Sequence, residues 1–497
     1  MLIQNKIFDF RFLGKQNLTS QKLRAKVLLF FFILLSLLKN IFMTDNRLEI
    51  LSKQKSYINQ CNSIPIKERI YLLRRLRQII QSNEGRIKQA LYEDLHKNPT
   101  EAYITEIGIV ISEINYCIKH IKSWAKIRRK PSALVLFPSK AYVYPQAKGS
   151  VLIISPWNYP FQLSILPLVG AISAGNTVIL APSSQSCAIN HLLQELINTN
   201  FNEKQIFCTN GDKNLTTEII KRGVNHLFFT GSFQTAQYLH SLCNEKLIST
   251  TFELGGKSPV IIDKDSNLRL AAKRLCLGKF INCGQTCIAP DYLFVHKQIK
   301  KEFIGLLKET IISLYGEDAS KSENYGRMIN QKQFKRINNL LLQGEIIFGG
   351  QTDEANKYIS PTLIEPYKTA SSLMQEEIFG PILPILDFEN IENVIEYINK
   401  RPRPLALYYF GRENADIIKQ TTSGGACIND SIMHIIPHSL PFGGIDQSGM
   451  GAYHGKKSFD TFSHYKSILK TNKNFEFNIK YPPYSLFKQR LVKFFLR

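Results

Sequence analysis

The chain has 497 residues, about three times what one hydrophobic core usually serves, so it is read as several lobes. Its 44% hydrophobic, 21% charged and 11% aromatic residues are the make-up of a soluble globular enzyme, which excludes a disordered, a collagen-like or a polytopic membrane chain. The formal charge of +23 sits largely at the ends: residues 1–42 and 466–497 carry +13 of it, and the middle has no basic stripe with interleaved aromatics, so no nucleic-acid partner is expected.

The first feature in chain order is Val27–Leu38, twelve apolar or small residues set between Lys22, Arg24, Lys26 and Lys39. It is short for a membrane span and long enough for a signal core, so a cleaved signal, an anchor stretched through Ile41–Met43 and an extension upstream of the true start all stay open. The favoured reading is a functional start at Met43. From Ile64 to Ile127 apolar residues recur every three or four positions, as in Leu73, Leu76, Ile79 and Ile80, then Ile107, Ile111, Ile114, Ile118 and Ile121; these are the core faces of helices. Beyond Pro131 the pattern turns to short β-like runs such as Ala141–Tyr144.

Ser150–Ser155 reads as a buried strand, Phe161–Ala174 as a helix stopped by Gly175, and Thr177–Leu180 as the next strand, which together make a βαβ unit. The alternation continues through helices near 188–199, 214–222 and 233–246 and strands Ile206–Thr209, His226–Thr230 and Thr250–Leu254. A second α/β run follows, from Ser258–Ile262 through Asn267–Ile281 and Tyr292–His296 to Lys300–Tyr315. The expected fold class is therefore α/β, two Rossmann-like parallel-sheet lobes with a cleft between them. At the far end Pro482 and Pro483 precede Leu486–Arg497, where Phe487, Leu491, Phe494 and Phe495 recur at helical spacing among Lys488, Arg490, Lys493 and Arg497. Such a stretch suits an anionic membrane surface or a helix packed on its own domain.

The nine cysteines include no CxxC pair and no Cys/His spacing for tetrahedral zinc, so no metal is expected, and their odd, scattered occurrence favours a reducing compartment. Three motifs carry chemistry. Pro156-Trp157-Asn158-Tyr159-Pro160 follows a strand, with an amide able to hold a developing oxyanion. Phe252-Glu253-Leu254-Gly255-Gly256-Lys257-Ser258-Pro259 sets a carboxylate, a candidate general base, beside a flexible Gly-Gly. Gly284-Gln285-Thr286-Cys287 presents a loop thiol next to a permissive glycine. Taken singly, a turn Asn, a strand-end Glu and a lone Cys are each more often structural; their conjunction is the signal.

With Gln375-Glu376-Glu377-Ile378-Phe379-Gly380-Pro381 downstream, these motifs resemble the aldehyde dehydrogenase superfamily from about Ile64 to Pro483. The wording of Gly278-Lys279-Phe280, Ala289-Pro290-Asp291-Tyr292, Ser439–Gly444 and Tyr453–Phe459 is most similar to class 3 and fatty aldehyde dehydrogenases. The resemblance implies NAD- or NADP-dependent oxidation of medium- or long-chain aliphatic or aromatic aldehydes to acids. Cys287 would be the nucleophile, Asn158 and the Cys287 N–H the oxyanion donors, and Glu253, ionised near neutral pH, the base for hydrolysis. Glu377 would hold the nicotinamide ribose and Phe379 pack near the ring, with Ser155, Trp157, Pro182, Ser183, Gly231 and Ser232 as further cofactor contacts.

It also implies a cofactor-binding domain of residues 43–130 and 150–253, a catalytic domain of 254–433, a bridging element of 131–149 and 434–480, and a tail of 481–497. A homodimer is implied, bridged by a β-hairpin near 131–149 and a strand-forming region near 458–480. The expected location is cytoplasmic, with membrane-surface association through the basic termini. Two departures bear on the cofactor: Ala181-Pro182-Ser183-Ser184 replaces the family's Lys-Pro-Ser-Glu, which leaves NAD against NADP open, and Ala236 stands where Gly is usual, close enough to crowd a pyrophosphate. The alternatives are an acylating relative that passes the acyl group to another thiol, which the retained Glu253 disfavours, and a catalytically idle homologue docking on membrane.

Overall fold

The computed structural model describes residues 49–133, 136–412 and 415–495; the segment Val27–Leu38 and the expected start at Met43 lie outside them. Residues that are apolar at successive positions, rather than alternately, make strands buried on both faces. That pattern gives the central strands of the first sheet, whose spatial order is Ser249–Glu253, His226–Thr230, Ser150–Ile154, Thr177–Ala181 and Ile206–Cys208, all parallel. Gly449–Met450 adds an antiparallel edge beside Ser249–Glu253. The helix Gln162–Ala174 is buried along its whole length and stops at Gly175, whose φ of 91° is a left-handed value that glycine takes without strain. Helices Ile66–Ser82 and Gly108–Trp124 pack against it.

The chain runs outward from Ser150–Ile154 to Ile206–Cys208 and then returns to the other side of Ser150–Ile154. The carboxyl ends of Ser150–Ile154 and His226–Thr230 therefore flank a topological switch point, where an open α/β sheet leaves a crevice for ligands. The second sheet, in order Thr362–Pro366, Ile382–Phe388, Tyr292–His296, Pro259–Ile262, Ala406–Phe410 and Gly425–Ile428, is also parallel. Gly344–Phe348 closes its edge in the antiparallel sense. The fold is the expected α/β arrangement of two parallel-sheet units; this antiparallel edge had no counterpart in the sequence reading.

A separate antiparallel sheet joins Arg128–Lys130, Lys140–Ala147 and Ser463–Lys470. Within the strand-forming region expected near 458–480 the strand is Ser463–Lys470, and Gly455–Thr461 before it is a helix. The reason is packing. Ser458 and Phe462 dock on Gly170, where an added Cβ would come within 2.7 Å of Ser458 and 3.1 Å of the Phe462 ring. That spacing of four places both residues on one helical turn. In the terminal helix Leu486–Phe495 no residue is fully buried, and Leu491 and Val492 are partly covered.

Candidate active site

Most of the side chains singled out in the sequence stand at the end of a strand or in the loop that follows one, whereas Cys287, Glu377 and Phe379 follow helices. Ser155, Trp157 and Asn158 come after Ser150–Ile154, Gly231 and Ser232 after His226–Thr230, and Glu253 closes Ser249–Glu253. Pro182 and Ser183 follow Thr177–Ala181. The thiol approaches from the loop after helix Leu268–Phe280, in which Asn282 (φ 53°), Cys283 (φ 55°) and Gly284 (φ 72°) are successively left-handed. For Asn and Cys that geometry costs about 1–2 kcal/mol each, so the surroundings must over-determine it.

They do so through hydrogen bonds. The Asn282 N–H donates to Glu101 Oε1 at 3.0 Å, and its side-chain amide donates to the carbonyls of Asn158 (2.8 Å) and Gln285 (3.1 Å). The Gln285 amide donates to the Asn282 and Arg327 carbonyls and accepts the Ile329 N–H, at 3.1, 3.0 and 3.0 Å. Gly284 is packed so that a Cβ would come within 2.3 Å of the Gly380 carbonyl. Asn158, buried, donates one amide hydrogen to the Gln285 carbonyl at 3.0 Å, which leaves the second for a ligand. Cys283 turns its sulfur to Tyr325 and Met328 in the core.

Cys287 is half-buried, and the backbone N–H groups of Cys287 and Ile288 face its sulfur. Burial, then the charges of Glu377 and Glu253, push its thiol up to about 12, which also places both carboxylates within electrostatic reach of it. Glu253 is buried, and neither of its carboxylate oxygens has a protein partner. Burial raises it well above the ordinary carboxylate range.

Glu377 is raised to about 8 by burial and by Asp291, against the Gly256 N–H and the cations Arg336 and Lys257. Its segment is pinned by groups to which the sequence reading gave no role. Lys257 pairs with Asp291 and donates to the Leu373 and Glu376 carbonyls at 2.7 and 2.9 Å. Asp291 accepts the Ile378 N–H at 2.8 Å, and Arg336 donates to the Ile378 carbonyl at 2.6 Å. Lys257 and Asp291 both lie inside quoted motifs, which was the only signal available for them; nothing in the sequence pointed to Arg336 or Glu101.

The residues present fit a dinucleotide. Ser232 caps the twelve-residue helix Phe233–Asn244, whose exposed N-terminus follows Gly231 at the switch point, the setting in which backbone N–H groups bind a pyrophosphate. Thr230 Oγ1 and Glu377 Oε1 are buried without protein partners. Gly255 cannot carry a side chain, because a Cβ would lie 2.2–2.3 Å from the Glu377 carboxylate oxygens. Phe379 (φ 50°) meets Trp157 edge to face at 5.3 Å. Ala236 is buried on the inner side of its helix. The Ser155 hydroxyl is taken up by Ser164 at 2.6 Å.

Residues 48–468 match the aldehyde dehydrogenase family. The chain belongs to this family. It is 43% identical over 435 residues to a Staphylococcus aureus 4,4'-diaponeurosporen-aldehyde dehydrogenase, covering 86% of this chain and 95% of that one. It is 42% identical over 439 residues to aldehyde dehydrogenase family 3 member A2 of Pongo abelii, covering 87% and 90%. A substrate-bound Staphylococcus aureus AldH superposes with a TM-score of 0.88 at 41% identity, covering 90% of this chain and 99% of that one. The class 3 resemblance thus holds, and the protein is an oxidoreductase acting on aldehydes with NAD or NADP.

Proposed function

We propose that this chain oxidises medium- or long-chain apolar aldehydes to carboxylic acids, with Cys287 as the nucleophile. The observation that carries this is one half-buried thiol facing backbone N–H groups, with Asn158 beside its loop and two buried carboxylates within electrostatic reach. The Cys287 sulfur, as thiolate, bonds to the aldehyde carbon while the carbonyl π pair moves to oxygen, where the free Asn158 amide hydrogen and the Cys287 N–H receive it. Bound NAD or NADP supplies a hydride acceptor; Gly231, Ser232 and Glu377 are the groups that would hold it. Loss of hydride from the former aldehyde carbon leaves a thioester on Cys287. Water then attacks the thioester carbon, Glu253 takes its proton, and the C–S bond breaks to return the thiolate.

A base whose pKa lies well above the free carboxylate range is matched to working pH better than an ordinary Glu. Ala181 and Ser184 place no charge at the adenosine ribose, which supports use of both NAD and NADP. The apolar-substrate reading draws on the relative named for 4,4'-diaponeurosporen-aldehyde. A homodimer is proposed through the exposed edge strand Ser463–Lys470, where Tyr465 and Leu469 face outward and an unpaired edge invites a second copy. Surface association with anionic membrane is proposed through helix Leu486–Phe495, which sets Phe487 (71% exposed) and Phe494 (76%) among Lys488, Arg490 and Lys493. Among the described residues no helix is long and apolar enough to cross a membrane.

The test is reduced-nicotinamide formation with decanal, NAD and NADP supplied separately, by the wild-type enzyme and Cys287→Ala. Turnover that is abolished in the variant is expected; turnover that survives it removes Cys287 as the nucleophile.

A further inference from the structure

Two charges deep in the molecule have no part in the reaction as described. The side chains of Lys97 and Glu106 are fully buried and pair at 2.5 Å. Desolvation of both charges offsets most of their attraction, so stability is a weak reason for such a pair, and what it supplies instead is directed bonds. Those bonds lead to one segment. Glu106, on the π-helical turn Tyr103–Ile107, accepts the Phe161 and Gln162 N–H groups at 2.9 and 3.1 Å on its second carboxylate oxygen. Both N–H groups stand at the start of the buried helix Gln162–Ala174, where donors lack a carbonyl one turn earlier and the helix dipole favours a negative charge. The Lys97 ammonium stands over the Tyr159 ring, 4.2 Å from its centroid.

The same segment is tied on its other side to the loop that carries the thiol. The Tyr159 and Thr286 hydroxyls share a hydrogen bond at 2.7 Å, the Asn158 amide donates to the Gln285 carbonyl at 3.0 Å, and the Asn158 carbonyl accepts the Asn282 amide at 2.8 Å. Thr286 directly precedes Cys287. Asn158 is thereby clamped between a buried ion pair and the nucleophile's own loop. A donor to a developing oxyanion works only where it already stands at the site of charge, and a shift of about 1 Å forfeits much of its effect.

We infer that Lys97 and Glu106 are positioning residues for the oxyanion donor: through the helix start and the Tyr159 ring they fix the Asn158 amide relative to Cys287. Both act through Asn158 rather than on the aldehyde. The inference rests on the assignment of Asn158 as oxyanion donor, and the experiment separates the two.

The first-turnover rate of reduced-nicotinamide formation from decanal is followed by stopped flow in the full-length enzyme. The proteins are wild type, Asn158→Ala, Lys97→Met with Glu106→Leu, and Lys97→Met with Glu106→Gln, each double change also being combined with Asn158→Ala. Removing both charges together leaves no buried ion unpaired; Glu106→Leu abandons the two N–H groups, whereas Glu106→Gln keeps an amide oxygen for them. The leucine double variant is expected to slow first turnover on the order of tenfold and the glutamine double variant to recover it to within about threefold of wild type, with both differences vanishing in the Asn158→Ala background. An undiminished rate in the leucine double variant, no recovery with Glu106→Gln, or the same loss with and without Asn158 overturns the proposal, the last because it marks the pair as general support for the fold. Should the leucine double variant fail to fold, Tyr159→Phe, which cuts the bond to Thr286 and keeps the ring under Lys97, takes its place. It is expected to slow first turnover severalfold with Asn158 present and not with Asn158→Ala, and an equal loss in both backgrounds overturns the proposal. Wild-type first turnover in Asn158→Ala alone overturns the oxyanion assignment itself, and the inference with it.

Discussion

Cys287 is a poor thiolate in the free site, because burial and two neighbouring carboxylates all oppose the negative charge. Below a pKa of about 12 the thiolate fraction rises about tenfold per pH unit, so alkylation by iodoacetamide, read on the Cys287 peptide by mass spectrometry, is expected to climb without a plateau up to pH 10. Glu377→Gln removes the larger of the two carboxylate contributions and is expected to speed alkylation above about pH 8, where Glu377 is ionised, even as it weakens cofactor binding. At this scale the sequence was informative where chemistry demands one residue type: Cys287, Glu253, Asn158 and Glu377 were all named from motifs. Their charge states were not legible. The protonation of Glu253 depends on desolvation by side chains remote in sequence, and the Lys257–Asp291 pair that steadies the Glu377 segment acts across elements.

The loop 281–287 shows the same division among elements. Gly284 was readable as permissive, and its φ of 72° against the Gly380 carbonyl explains why. The left-handed Asn282 and Cys283 were not readable, because the bonds that hold them come from Glu101, Asn158 and Gln285. Glu101 is raised to about 7, chiefly by burial, so it binds its proton more tightly in the folded chain than in the unfolded one. Its stabilising contribution is therefore complete below about pH 4.5 and is lost as pH rises through about 7. Glu101→Gln keeps an acceptor for the Asn282 N–H and is expected to flatten the decline of the thermal midpoint over this range with activity within about threefold of wild type. Glu101→Ala leaves that N–H unpaired and is expected to cost about 1–3 kcal/mol of stability, measured by chemical denaturation, together with a fall in kcat.

For the whole molecule, the basic tail meets the outside through its apolar side chains. Phe487→Glu with Phe494→Glu is expected to abolish co-flotation with phosphatidylserine vesicles while leaving hexanal oxidation unchanged; retained flotation assigns membrane contact elsewhere. The sequence by itself determined the order of strands and helices from Ser150 to Tyr315, because unbroken apolar runs and three-to-four spacing are local signals, and it named the candidate reacting groups, because sulfur, amide and carboxylate are irreplaceable in this chemistry. It gave no sign of the helix Gly455–Thr461, which docks on Gly170. Only the tertiary structure decided that both Glu253 oxygens are buried without a protein partner and that Ala236 faces inward. Desolvation and cross-element contact arise when distant segments exclude water from one another, and no local stretch of sequence carries that information.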